Sequence, residues 1–305
     1  MENLEGLKTV IVATDFSESA EGAVDWAAEL ARPHGARLLL LHASMPPMPA
    51  VAAPEFVPLP PAAYEADRER VALELDARVE ALREKGLTVE GEARTGQALD
   101  VILDAAEKEN ADLIVVGTRG LTGAKRIFLG STAAQLVRRA PCPVLTVHPD
   151  QAKEHRAIQT ILVPTDYSAD AEKAVRETVR LLGPVGTSAK VKLLHVYRLQ
   201  PEVVYPWTPP HIAFRASEVV AEATKRMEEI TEPLKKMGFD VELLVHEGYP
   251  PDVIDETATK VHADLIAMGT HGRSLLPRLV LGSVAERVLP RAPCPVLTVH
   301  HDETE

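Results

Sequence analysis

Apolar residues along the 305-residue chain fall into two alternating patterns. Short runs such as VIVA at 10–13, LLLL at 38–41 and LIVV at 113–116 are apolar at successive positions. Such runs bury both faces, as strands do in a parallel sheet covered on two sides. They predict strands at 8–13, 36–42, 88–93, 112–117 and 143–147, with helically spaced segments near 17–32, 64–85, 97–109 and 131–139 between them. The strand pattern returns at 159–164, 190–196, 240–246, 264–269 and 295–299. Strands that alternate with helices of ten or more residues require parallel crossover connections. Each half therefore reads as an α/β domain with an open five-stranded parallel sheet and helices on both faces.

The halves are copies of each other. RAPCPVLTVH occurs at 139–148 and again at 291–300, an offset of 152 residues. VATDFS and VPTDYS, LLLLHA and VKLLHV, ADLIVVGTRG and ADLIAMGTHG, and FLGS and VLGS keep nearly that offset and the same order. One match is within the reach of chance, and five in register are not. The chain is long for one domain and comfortable for two. The expected domains are 1–150 and 151–305, joined through the polar, proline-initiated stretch PDQAKEHRA at 149–157.

Bulk composition removes several function classes. No apolar run approaches the 18 residues of a membrane span, and the acidic start MENLEGLKTVIVATD leads directly into a strand, so neither membrane insertion nor export is expected. A net charge of −12 with scattered Lys and Arg argues against nucleic-acid binding. Cys142 and Cys294 occupy identical contexts and read as equivalent positions in two domains, not as a disulfide, which fits a reducing cytoplasm.

The candidate chemistry lies after the fourth strand of each half. Gly117-Thr-Arg-Gly120 is followed by nine residues and Gly130-Ser131-Thr132, and Gly269-Thr-His-Gly272 by nine residues and Gly282-Ser283-Val284. Glycines let backbone N–H groups approach an anion, and a hydroxyl at a helix start points the same way. One such motif more often makes only a tight turn, whereas two copies with a shared Gly-Ser favour a phosphate cradle. Arg119, Lys125 and Arg126, or Arg273 and Arg278, lie nearby to balance charge. G-x-G is absent, and so is a P-loop lysine motif, which removes the dinucleotide fingerprint and the motor-type NTPases. The proline-rich stretches 45–61 and 200–211 read as loops leaving the carboxyl end of the second strand, suited equally to covering a site or packing on the other domain.

The glycine spacing, the T-D-x-S after the first strand and the A-P-C-P-V-L-x-V close together resemble the universal stress protein family over nearly the whole chain, as a tandem pair. The resemblance implies a Rossmann-like sheet in strand order 3-2-1-4-5 and, for members with the glycine motif, binding of ATP or a related adenine nucleotide. It places Asp15 and Asp166 near adenine or ribose, Ala43 and Val196 against the base, and Val116–Gly117 and Met268–Gly269 beside the ribose. Gly120, Gly130, Ser131 and Thr132, with Gly272, Gly282, Ser283 and Val284, would hold the phosphates. In that family the last strand mediates dimerisation, so the two halves are expected to associate as an intramolecular pseudo-dimer, with a homodimer of whole chains a further option. Ala13 stands where the second repeat has the more family-like Pro164, and Arg119 where it has His271.

Other residues carry plainer readings. From the residues alone, Asp15 and Asp166 suit a helix-start turn as well as a ligand contact. His42 and His195, inside apolar strands, read as satisfied core histidines, and the two cysteines as structural. His148 and His300 lie six residues beyond those cysteines along one strand, too far to share an ion with them, so no metal is assigned to the protein itself. Any Mg2+ is expected to arrive with the nucleotide. The leading expectation is a cytoplasmic, two-site, ATP-binding stress-response module. A slow ATPase or phosphoryl-transfer enzyme on the same loops is the alternative, disfavoured by the lack of an evident general base. A scaffold with relic loops is a third reading.

Overall fold

The computed structural model describes residues 6–45, 61–118, 129–151, 158–182, 189–198, 212–272 and 281–300. These form two compact units, one with described residues from Leu7 to Gln151 and one from 158 to His300. In the first unit the order is β1 (Thr9–Ala13), α1 (Glu18–His34), β2 (Arg37–Ser44), α2 (Pro61–Glu84), β3 (Thr88–Thr95), α3 (Ala98–Lys108), β4 (Leu113–Gly117), α4 (Ser131–Arg139) and β5 (Val144–Val147). All pairs are parallel and the sheet order is β3-β2-β1-β4-β5. The second unit repeats this with β6 (Thr160–Thr165), α5 (Ala169–Leu182), β7 (Lys190–Tyr197), α6 (Ile212–Lys236), β8 (Asp240–Glu247), α7 (Pro250–Lys260), β9 (Leu265–Gly269), α8 (Ser283–Val288) and β10 (Val296–Val299). Its order is β8-β7-β6-β9-β10, again parallel. Both units have the expected 3-2-1-4-5 arrangement.

Elements differ from the expected ones mainly at their ends. Helix α2 starts at Pro61, inside the stretch read as loop, because a proline is tolerated in a first helical turn where its missing N–H has no partner to lose. The rest of both proline-rich stretches lies outside the described residues, apart from Met45. Helix α1 runs to His34 with Pro33 in its last turn and stops at Gly35, whose φ of 60° lets its N–H cap the Ala31 and Arg32 carbonyls.

The core sits on both faces of each central strand. Val10, Ile11 and Val12 have no solvent exposure, nor do Leu38, Leu40, Ile114 and Leu145 around them; Ile161, Leu162, Leu193 and Ile266 do the same in the second unit. Each such side chain contributes on the order of 2 kcal/mol of burial. One carboxylate fixes the start of each central strand. Asp112 Oδ2 accepts from the N–H groups of Lys8 and Thr9 at 2.7 and 2.9 Å, and Asp264 Oδ2 accepts from Gln159 and Thr160, both at 2.8 Å.

In the second unit Arg291, between α8 and β10, reaches Asp252 and Asp255 on α7, each at 3.0 Å. Asp255 Oδ1 is buried with no hydrogen-bond partner among the described residues. Burial pushes its carboxyl up to about 6, outweighing the pull of Arg291 and aided by neighbouring Asp252. A carboxyl raised in the folded state binds its proton more tightly there than in the unfolded chain. Its contribution therefore favours folding at low pH and is lost as pH rises through about 6. Asp255→Asn should stabilise the second unit by about 1 kcal/mol at pH 8 and by progressively less below pH 6. Paired urea unfolding of wild type and variant across that range measures the difference, and a pH-independent difference would contradict the assignment.

Candidate functional site

Each unit has a cavity at the carboxyl ends of its strands, where a parallel sheet places its crossover loops. The first measures about 330 Å3 and is bordered by Asp15, Ala43, Val116, Gly117, Gly130, Ser131 and Thr132. The second measures about 310 Å3 and is bordered by Asp166, Val196, Met268, Gly269, Gly272, Gly282, Ser283 and Val284. Every candidate residue is thus brought to a cavity except Gly120, which lies outside the described residues together with Arg119, Lys125, Arg126, Arg273 and Arg278.

The two aspartates are held by the turn between the first strand and first helix of each unit. Asp15 Oδ1 accepts from Ser17 N–H at 3.0 Å, and Asp166 Oδ1 from Ser168 N–H at 3.0 Å. Ser17 then caps α1 by accepting from Ala20 N–H at 3.3 Å. The helix-start reading of these residues is thus met by the turn, and both residues also border a cavity. Between the aspartate and the cap sits an aromatic residue with left-handed backbone, Phe16 at φ 63° and Tyr167 at φ 65°. A bulky residue costs on the order of 1–2 kcal/mol in that region. Stacking offsets it: Phe16 lies on His42 with ring centres 4.6 Å apart, and Tyr167 on His195 at 4.5 Å. Arg78 and Arg226 approach the two aromatic rings, 4.6 and 5.7 Å from the ring centres. His42 and His195 donate from Nδ1 to the Thr14 and Thr165 carbonyls at 2.8 and 2.9 Å. They are structural, as their place in apolar strands implied, and they support the aromatic that aims each aspartate.

The glycines divide into two kinds. A Cβ on Gly117 would lie 2.5 Å from Ser19 Oγ and 2.8 Å from Ser19 O, and one on Gly269 would lie 2.6 Å from Asp170 Cβ. At these two positions helix packing requires glycine. Gly130 N–H donates to Thr118 O at 2.8 Å and Gly282 N–H to Thr270 O at 2.9 Å, closing the base of each loop. Those two N–H groups are thus already used. In the first unit the donors left facing the cavity are at the start of α4, which begins at Ser131 with no side-chain cap among the described residues. Gly272 lies against the second aspartate, its Cβ position 2.6 Å from Asp166 Oδ2.

Sequence reasoning missed one wall of each cavity. Ala98 and Ile102 on α3, and Pro250 and Ile254 on α7, also line the cavities. The signal was present in the in-register pair TGQALDVI and EGYPPDVI, whose glycines, Gly96 and Gly248, have φ of 153° and 151°. Cys294 is buried and its thiol is pushed up by that burial, in line with a structural role, while Cys142 is partly exposed.

Placed beside known proteins, the chain has clear relatives. The sequence profile of the universal stress protein family matches residues 6–148 and 157–300. The chain belongs to the universal stress protein family. A universal stress protein of Mycolicibacterium smegmatis is 30% identical over 303 residues, covering 95% of this chain and 96% of that one. One from Thermus aquaticus is 40% identical over 141 residues, 46% of this chain and 98% of its own length, so a single-domain relative matches about half of this tandem protein. The crystal structure of a universal stress protein from Archaeoglobus fulgidus superposes with a TM-score of 0.71 at 20% identity, covering 99% of this chain and 100% of that one. That likeness concerns the fold. Among the described residues, no helix of this universal stress protein is long and apolar enough to cross a membrane.

The contact between β4 and α1 gives a direct test of how the first site is assembled. Gly117→Ala should force α1 outward, cost about 2 kcal/mol in urea unfolding and enlarge the gap between Asp15 and Ser131. An unchanged unfolding midpoint would show that the contact has slack.

Proposed function

We propose that each half binds an adenine nucleotide and that the chain is a nucleotide-dependent regulatory module. The observation that carries this reading is the doubled cavity bordered by a carboxylate and by a Gly-Ser helix start without a side-chain cap. A carboxylate is suited to ribose hydroxyls, and a helix start with hydroxyl side chains to phosphate. Leu41, Ala43 and Ile102 offer the first cavity an apolar surface for a flat base, and Leu194, Val196 and Ile254 do so in the second. The volumes fall at the lower end of small-molecule sites, which fits a ligand of nucleotide size whose phosphates extend past the enclosed part. ATP is the leading candidate through the family motif, with Mg2+ carried on its phosphates.

The two sites are not equivalent in this reading. Val284 replaces the Thr132 hydroxyl, and Val196, Met268 and Pro250 replace Ala43, Val116 and Ala98, so the second cavity is the more apolar. Asp15, Asp166 and His271 are the ionisable side chains among the described residues bordering the cavities. Binding with little turnover is the activity such a lining supports.

Calorimetric titration of the full chain with ATP, ADP and AMP should show two sites, and Gly130→Asp and Gly282→Asp should each remove one of them. A chain that binds no adenine nucleotide would overturn the function, and variants with wild-type stoichiometry would overturn the site residues. Phosphate release above background that disappears in the double variant would instead favour the enzyme.

A further inference from the structure

Beside the second cavity, the first turn of α5 and the ends of β9 and β10 bring three metal-ligating side chains together. Asp170, His271 and His300 each offer one ligand atom, and these atoms lie within 4.8 Å of one another. The Asp170 and His271 side chains are 11% and 15% exposed, so the group is largely shielded from water. A Thr270 hydroxyl sits among them. Its Oγ1 is 3.1 Å from Asp170 Oδ2, 3.3 Å from Val299 O, 3.1 Å from His271 Nδ1 and 2.5 Å from His300 Nδ1. Carboxylate and carbonyl oxygens only accept, so one of them takes the single hydroxyl proton. Asp170 Oδ2 also accepts from the His271 backbone N–H at 2.9 Å, which fixes the carboxylate against the end of β9. The atoms brought together around this hydroxyl are thus Asp170 Oδ2 and the two Nδ1 atoms, with His271 Nδ1 3.4 Å from Asp170 Oδ2. A neutral imidazole ligates a metal through either ring nitrogen, and in the Nε2–H tautomer the Nδ1 lone pair is the one that faces this cluster.

We propose that Asp170, His271 and His300 form a site for one divalent transition-metal ion of the zinc class, present in the second half alone. Two imidazole nitrogens and one carboxylate oxygen suit Zn2+ or Co2+ and leave a coordination position open. Ligand atoms around one such ion stand roughly 3–3.5 Å apart, so the set closes by about 1 Å, within the reach of side-chain rotation. The first half supplies an internal control. It retains the Thr118–His148 pair, at 2.8 Å, but has Ser19 where Asp170 stands and Arg119 where His271 stands. A guanidinium has no lone pair to give, and a serine brings no charge. His271 also borders the second cavity, but the metal site stands even if neither cavity binds a nucleotide.

The test uses the tag-free full chain, stripped with chelator and free of nucleotide, titrated with Zn2+ by calorimetry and with Co2+ by visible absorption. One ion per chain is expected, with a Co2+ spectrum showing nitrogen ligation. Asp170→Ser and His271→Arg introduce the residues that the first half carries, so each is compatible with the fold. Each should weaken Zn2+ binding at least tenfold, and His148→Ala should leave it unchanged. No bound Zn2+ in the wild type, a Co2+ spectrum of oxygen ligation only, or equal affinity in wild type and both ligand variants would each overturn the proposal.

Discussion

At Gly117 and Gly269 the backbone of a strand touches the first turn of a helix, and the rest of each site depends on that contact. A side chain at either position would drive α1 or α5 away from its sheet. The helix start carries Asp15 or Asp166 at one edge of the cavity, while the strand leads into the loop that returns to Ser131 or Ser283 at the other. The width of the cavity is therefore set by a backbone contact that no rotamer change can relax. The buried sheet supplies the rigid reference: central strands without solvent exposure, started at a fixed height by Asp112 and Asp264.

The sheet and its repeat were legible because they rest on patterns that recur at every turn of the chain. Runs apolar at successive positions specify strands covered on two sides, and the constant offset between matched segments specifies two copies. The cavity residues were legible as far as they belong to motifs, as Gly130-Ser131 and Asp166 do. What the motifs did not reveal is the reason for each residue. Gly117 is required by Ser19, a hundred residues away in sequence, and such a contact leaves no local trace. The left-handed backbone of Phe16 and Tyr167 was invisible for the opposite reason: aromatic residues seldom adopt it, and only the histidine and arginine brought across by the fold make it tolerable. Ala98 and Ile102 were missed because small and aliphatic residues on a helix look like ordinary core.

Comparison of the halves separates architecture from specialisation within one molecule. The strand starts, Asp-Ser turns, stacked aromatics and loop-closing glycines are the same in both. Among the positions that differ, several border a cavity or lie beside it: Ser19 to Asp170, Arg119 to His271, Thr132 to Val284, Val116 to Met268. The fold has been kept while the surfaces offered to ligands have diverged, as expected when packing restricts the scaffold more tightly than the site.

Two differing cavities on one polypeptide have a consequence for what the protein can report. Covalent linkage holds the two cavities at equal abundance whatever the level of expression. A single molecule can stand empty, filled on one side, filled on the other, or filled on both. If both cavities bind as proposed and their affinities differ, these conditions succeed one another as the ligand becomes more plentiful, and the chain would mark two thresholds on one concentration scale.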